Sequence, residues 1–215
     1  MLKYKLQKVK GSSLYRIVAL KDFANVKKGD KGGIIQKESN LSQAGDAWVS
    51  GDARVSGDAW VSDDARVSGD AQVYGNARVY GDAWVSDDAR VSGDARVSGN
   101  AQVYGNAQVS GDAQVYGDAQ VYGNARVYGD AQVYGKNDIK TISNIGTRNS
   151  TLTYTASDNM YCTGCFRGSE IELIERLQDK DSQTQKEYKA AIAFIKAVYE
   201  EKKSVLKKVK AKTKK

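Results

Sequence analysis

Residues 51–83, GDARVSGDAWVSDDARVSGDAQVYGNARVYGDA, say the same thing every six positions: Ala, a variable residue, Val, a variable residue, then Gly-Asp or a close substitute. The register runs unbroken from Ala47 to Lys136, fifteen hexads with Ala in every first slot and Val in every third. A fixed period of this kind dictates architecture before any other reading. Ala and Val are two apart, so on an extended strand both point to one side and the variable residues point to the other. The Gly-Asx step is a turn, because Gly and Asx tolerate positive φ. Short strand, sharp turn, short strand predicts an all-β solenoid whose small inner residues fill a narrow interior.

The A-x-V-x-G-D hexads resemble those of the left-handed parallel β-helix, the hexapeptide-repeat fold of the trimeric acyltransferase-like superfamily. In that fold three hexads make one triangular coil of 18 residues. The resemblance implies left-handed crossovers, against the usual preference. It also implies five coils over the repeat, a rod of roughly 24 Å at about 4.8 Å per coil. Tyr15 to Val49 is similar to the opening of uncharacterised bacterial and phage β-helix proteins, and Ile142 to Leu177 to the end segment of phage-encoded members. The resemblance carries fold and lineage, and no activity.

Outward from the repeat, the charge changes sign. Residues 1–44 hold 10 basic and 3 acidic residues, residues 45–135 hold 6 Arg and 13 Asp, and residues 136–215 hold 17 basic and 10 acidic. An acidic middle lies between two basic ends. The chain has 3 Phe, 2 Met, 2 Cys, no Pro and no His. Two cysteines exclude a disulfide scaffold and make cytoplasm the default, host cytoplasm for a phage protein. Without His the commonest general base and metal ligand are both missing. No apolar run suits a membrane span or a signal peptide, so no membrane partner is expected.

A solenoid leaves an unpaired strand edge at each end, which needs a cap. Residues 1–34 read as an N-terminal hairpin cap: Tyr4, Leu6 and Val9, then Leu14 to Leu20 after Gly11-Ser12-Ser13. Residues 35–146 read as the β-helix, with Ile35 and Leu41 in the Ala slot and Ile139 and Ile145 in the Val slot. Residues 147–215 read as a C-terminal strand and helix cap with a basic tail. Leu152 to Phe166 offers one or two strands. Ser169 to Glu172 is an S-x-x-E capping box opening a helix through Leu177. A second helix, roughly Thr184 to Val209, shows an apolar stripe of Tyr188, Ala191, Ile192, Ile195, Val198, Tyr199, Val205, Leu206 and Val209. That stripe fits packing on its own domain, and also pairing between subunits along a heptad broken by Lys202.

Enzymes of the resembled superfamily typically use a His base, and often an inserted loop; this chain has neither. We therefore expect no catalytic residue, no cofactor and no metal. Eleven of the 13 repeat Asp fill one turn slot, which turn chemistry explains. Asp63-Asp64 and Asp87-Asp88 are 24 residues apart and fall on different corners. Cys162-Thr-Gly-Cys165 has zinc-knuckle spacing but no second pair, so two buried thiols in a hairpin are expected.

The informative positions face outward. Before Val, the first face reads Trp48, Arg66, Trp84, Gln102, Gln120, where Trp–Arg–Trp allows cation–π stacking. The second reads Arg54, Gln72, Arg90, Gln108, Arg126, and the third Trp60, Arg78, Arg96, Gln114, Gln132. After Val, Ser predominates early and Tyr late. Trp48, Trp60, Trp84, Tyr104, Tyr116, Tyr122, Tyr128 and Tyr134 are the candidate protein-binding residues, since Tyr and Trp anchor interfaces. Cross-strand stacking alone would also account for Tyr104 over Tyr122 and Tyr116 over Tyr134. The sequence thus points to a non-enzymatic, phage- or prophage-encoded rod that binds a protein of unidentified kind. Self-association through the β-helix faces or the C-terminal helix is a further expectation. Leu206 to Lys215, with 6 Lys and no acid, suits weak, salt-sensitive nucleic-acid contact. The alternatives are an acyltransferase-like enzyme and a nucleic-acid accessory protein.

Overall fold

A computed structural model describes residues 2–212, with side chains through residue 199. Every hexad forms a two-residue strand, from Trp48–Val49 to Gln132–Val133. Each strand pairs in parallel with the strand 18 residues on, Trp48 beside Arg66 and Val49 beside Val67, so three hexads complete one coil. The fold is a parallel β-solenoid of about six turns. All fifteen Ala and all fifteen Val are buried in one continuous core. On every rung before the last coil the N–H groups flanking Val reach carbonyls of the following coil, as Arg54 N to Ala71 O and Ser56 N to Val73 O, at 2.9 and 3.0 Å.

The corners explain the Gly-Asx step. Gly51 sits at φ 66°, and a Cβ added there would lie 3.0 Å from the carbonyl oxygen of Gly69, stacked one coil above. Asp63 and Asp87 replace this Gly and keep φ near 57°. Their carboxylates accept the N–H of Gly81 and Gly105 one coil on, each at 3.0 Å. The first Asp of each doubled pair is therefore a turn residue with a partner one coil on.

The N-terminal segment extends the second face. Tyr4–Lys8 pairs antiparallel with Tyr15–Ala19, which pairs antiparallel with Lys31–Ile35, which joins Arg54–Val55 in parallel. Ile35 lies beside Val55 and Leu41 beside Val61, which corrects their expected place. Both belong to the Val column, not the Ala column. The reason is a longer corner: eight residues separate Leu41 from Val49, where six separate Val49 from Val55. Lys3 closes that corner. Its buried ammonium donates to the carbonyls of Ala44, Gly45 and Ala47, at 3.3, 3.2 and 2.8 Å.

Beyond the repeat the hexad rule stops. Ile139 remains in the solenoid core, but Ile145 does not take the next Val position. Ile139–Ile145 is one seven-residue strand without a Gly-Asx corner, so the chain cannot turn. Residues 155–158 belong to the solenoid unit, where Ser157 Oγ accepts the Gln132 N–H at 2.9 Å. The second unit, residues 140–154 and 159–215, carries strands Ser150–Thr155, Met160–Thr163 and Phe166–Gly168 in a sheet with Ile139–Ile145. Helix α1 (Glu170–Arg176) opens on the Ser169–Glu172 capping box. Helix α2 (Ser182–Lys212) starts beside Asp181, whose carboxylate accepts the Thr184 N–H at 2.8 Å. Tyr188, Ala191, Ile192 and Ile195 are buried within this unit; the side chains of Lys202, Val205, Leu206 and Val209 lie outside the described residues. So do those of the Lys-rich tail. The cysteines correct another expectation. Cys162 is buried, but Cys165 is exposed, because Thr163 pairs with Phe166 and leaves Gly164 and Cys165 as the two-residue turn.

Candidate functional site

The candidate residues separate by corner. In a coil of three hexads, Tyr104 and Tyr122 follow the first face, while Tyr116 and Tyr134 end the third face and so precede the first. Both Tyr pairs therefore border one face, the one carrying Trp84, Gln102 and Gln120. Tyr104 and Tyr122 stack with ring centroids 5.4 Å apart and planes 15° from parallel. Tyr116 and Tyr134 meet edge to face at 4.6 Å. Trp84, Tyr122 and Tyr134 are 48%, 52% and 55% exposed, so apolar ring area faces water along this strip.

Three candidates stand apart. Trp48 starts the same face but is buried, which corrects its outward assignment. The N-terminal segment covers it, with Tyr4 and Phe23 packed edge-on at 6.5 and 5.3 Å. Trp60 is exposed on the third face at the N-terminal end, and Tyr128 occupies the remaining corner. The Trp–Arg–Trp cation–π contact does not form either. The Trp84 indole N–H donates to Ser68 Oγ at 3.1 Å, and the cation–π contacts among the described residues involve Phe23, Phe166 and Phe194.

The sequence reading missed the glutamines. Tyr116 donates to Gln114 Oε1 at 2.8 Å and Tyr134 to Gln132 Oε1 at 2.6 Å. Tyr128 likewise donates to Gln108. For Tyr116 and Tyr134 the signal was the triplet Q-V-Y: residues two apart on a strand share a side, so the amide meets the phenol across the Val, whereas Tyr128 reaches a glutamine 20 residues earlier. Gln120 also donates to Gln102 along the column, at 3.4 Å. Glutamine thus orients Tyr116, Tyr128 and Tyr134, while Tyr104 and Tyr122 are oriented by stacking on each other.

Burial, then the hydrogen bond and charge of Tyr134, push the Tyr116 phenol up to about 12, so it stays protonated. Asn residues interrupt the acidic corner columns: Asn76 donates to Asp94 and Asn100 to Asp118, both at 3.0 Å, replacing like-charge contacts by hydrogen bonds. Among the described residues no group of three or more His, Cys, Asp or Glu could hold a metal.

Fold and surface together define a β-solenoid repeat protein. The hexads match the family model described as YdcK Beta solenoid repeat, over residues 47–63, 71–87, 89–105, 101–117 and 119–135. No curated protein matches the chain.

Proposed function

We propose that this β-solenoid is non-enzymatic and phage- or prophage-encoded, and that it presents a rigid face to a protein partner. It acts in the host cytoplasm, as an inhibitor of a host protein or as a structural module. One observation carries the binding reading: Trp84 and two Tyr pairs border the same flat face, held by glutamines and by each other. Pre-oriented aromatic side chains lose little conformational entropy on binding, and such residues dominate interface energetics. The lineage rests on the likeness of the Ile142–Leu177 segment to phage-encoded β-helix proteins. The compartment rests on a count of only two cysteines, one buried and one exposed. Among the described residues no helix is long and apolar enough to cross a membrane.

The test is capture of a partner from the natural host, identified by mass spectrometry, by the wild type and by a triple variant with Tyr104, Tyr116 and Tyr122 changed to Ser. Ser already fills this slot in eight hexads, so the fold should persist. Losing central aromatic anchors costs about 2 kcal/mol apiece, which should abolish capture. Undiminished capture with an unchanged melt would reject the face.

A further inference from the structure

The second unit carries a cavity that neither the repeat nor the aromatic face accounts for. About 400 Å³ in volume, it opens between the turn after Ile139–Ile145, the Gly164–Cys165 turn, helix α1 and the loop leading into α2. Its lining includes the buried Leu173 and Leu177 of α1 and the buried Tyr188 of α2, whose hydroxyl meets that of Thr163 at 2.8 Å. Arg148, Arg176 and Lys180 add three cations, and Asp179 and Asp181 add two carboxylates. These charges are unequally spent. Both oxygens of Asp181 are engaged, accepting the Thr184 N–H at 2.8 Å and the Thr184 hydroxyl at 2.6 Å. The side chains of Arg148 and Lys180 make no hydrogen bond or ion pair among the described residues, and Arg176 lies over the Phe166 ring at 5.6 Å. Asp179 alone is left to offset three cations.

We infer that this cavity binds a small organic anion, a carboxylate or phosphate monoester joined to an apolar body. The site is independent of the protein-binding face, since every residue lining it belongs to the second unit. Charge selects the anion. In a half-enclosed site the effective dielectric falls below that of bulk water, so unpaired cations attract a negative group more strongly than they would on an open surface. The guanidinium fork of an Arg also matches two oxygens of a carboxylate or phosphate. Size and lining select the body. The volume is that of a ligand pocket, far more than a bare phosphate fills, and Leu173, Leu177 and the Tyr188 ring offer apolar contact. The Thr163–Tyr188 hydroxyl pair uses one proton between its two oxygens and keeps the other to donate. The start of α2 contributes nothing to the anion, because Asp181 already takes the Thr184 N–H.

Cys165 reports occupancy, because it lines the cavity and is exposed while Cys162 is buried. The test alkylates the full chain with iodoacetamide and follows the label at Cys165 by peptide mass spectrometry. Phenyl phosphate of about 1 mM affinity, added at about 10 mM, should slow the reaction about 10-fold by mass action, and benzoate should do likewise. Inorganic phosphate lacks the apolar body and benzyl alcohol lacks the charge, so each should slow it less than about 2-fold. The ratio of iodoacetate to iodoacetamide rates at Cys165 should exceed that at a neutral model thiol by about 5-fold. Arg148→Gln combined with Lys180→Gln should abolish both effects, whereas Asp179→Asn should strengthen phenyl phosphate protection about 3-fold. These three side chains are exposed, so the variants should fold; if they do not, the measurements on the unaltered protein decide. Equal protection by benzyl alcohol and phenyl phosphate overturns the site, as does absent protection together with no heat of binding in titration calorimetry. Equal protection by inorganic phosphate overturns the apolar body. Partner capture by the aromatic face is read in a separate assay, so either proposal can fail alone.

Discussion

At its N-terminal end the solenoid turns carbonyls outward, and at its C-terminal end it turns N–H groups outward, because every rung donates toward the following coil. The two ends are finished with opposite chemistry. At the first coil the caps are donors: the Lys3 ammonium on Ala44, Gly45 and Ala47, and the Asn40 amide on Gly57 and Ala59 at 3.0 and 2.8 Å. At the last coil the caps are acceptors, Ser157 Oγ and the Asp138 carboxylate. The N-terminal closure is the more complete. It adds a hairpin whose Tyr4 and Ile17 are fully buried, while at the far end the single strand residue Ile139 continues the core. The asymmetry teaches that a repeat fixes its own interior but not its ends. Each end needs side chains of the sign its backbone polarity demands.

The largest effect separates the interior from both ends. Deleting Ala89 through Asn106 removes one coil in register and should leave a folded rod with both closures intact. Deleting nine residues, Ala89 through Val97, places outward residues in the core and should unfold it. Circular-dichroism melts decide; like behaviour of the two deletions would break the coil assignment. Val85→Asp, burying an unpaired charge, should cost about 4 kcal/mol or more, while Arg90→Ala outside should cost under about 0.5.

The ends come next. Lys3→Met leaves the corner carbonyls of Ala44, Gly45 and Ala47 without their donor and should cost about 3 kcal/mol, with Asn40→Ala close behind at about 2. Ser157→Ala removes a single neutral acceptor at the other end and should cost about 1 kcal/mol. Denaturant midpoints at constant slope would measure all three. A Ser157 loss equal to that of Lys3 would erase the asymmetry.

The smallest effect is with pH. Burial lowers Lys3 to about 8 from its ordinary 10.5. The unfolded chain then binds that proton more tightly, so stability rises as pH climbs from about 8 toward 10.5. Tyr116 and Tyr161, both pushed up to about 12 chiefly by burial, work the other way. Their contribution is complete below pH 10 and is lost as pH rises through 12. The melting temperature should therefore gain about 2 °C between pH 8 and 10 and then fall. Lys3→Met should melt lower and lack the gain; a gain that persists in that variant would remove the Lys3 charge from the account.

Legibility followed periodicity. Ala47, Val49 and their repeats were readable because an inward column admits one side-chain size at every rung, and repetition exposes it. Trp48 occupies the same slot as Trp84 and reads identically, yet one is buried and the other exposed. Nothing within its hexad says that Phe23 and Tyr4 fold back over the first coil. Leu41 was misplaced for a related reason, since a corner two residues longer shifts the register without changing composition. Within the candidate face, Tyr104, Tyr116, Tyr122 and Tyr134 were legible as outward rings. The glutamines that hold Tyr116 and Tyr134 were not, because the reading treated residues on either side of Val as independent.

By itself the sequence determined the coil: the period of six, the inward Ala and Val, the turn at Gly-Asx and the outward variable slots all follow from backbone geometry within a few residues. Only the tertiary structure decided how the rod ends. Whether a terminal carbonyl meets Lys3 or a terminal N–H meets Ser157 depends on segments up to 44 residues away in the chain. No local preference encodes contacts of that separation, since the hydrogen-bonding needs of a strand edge exist only once the last coil has been laid down.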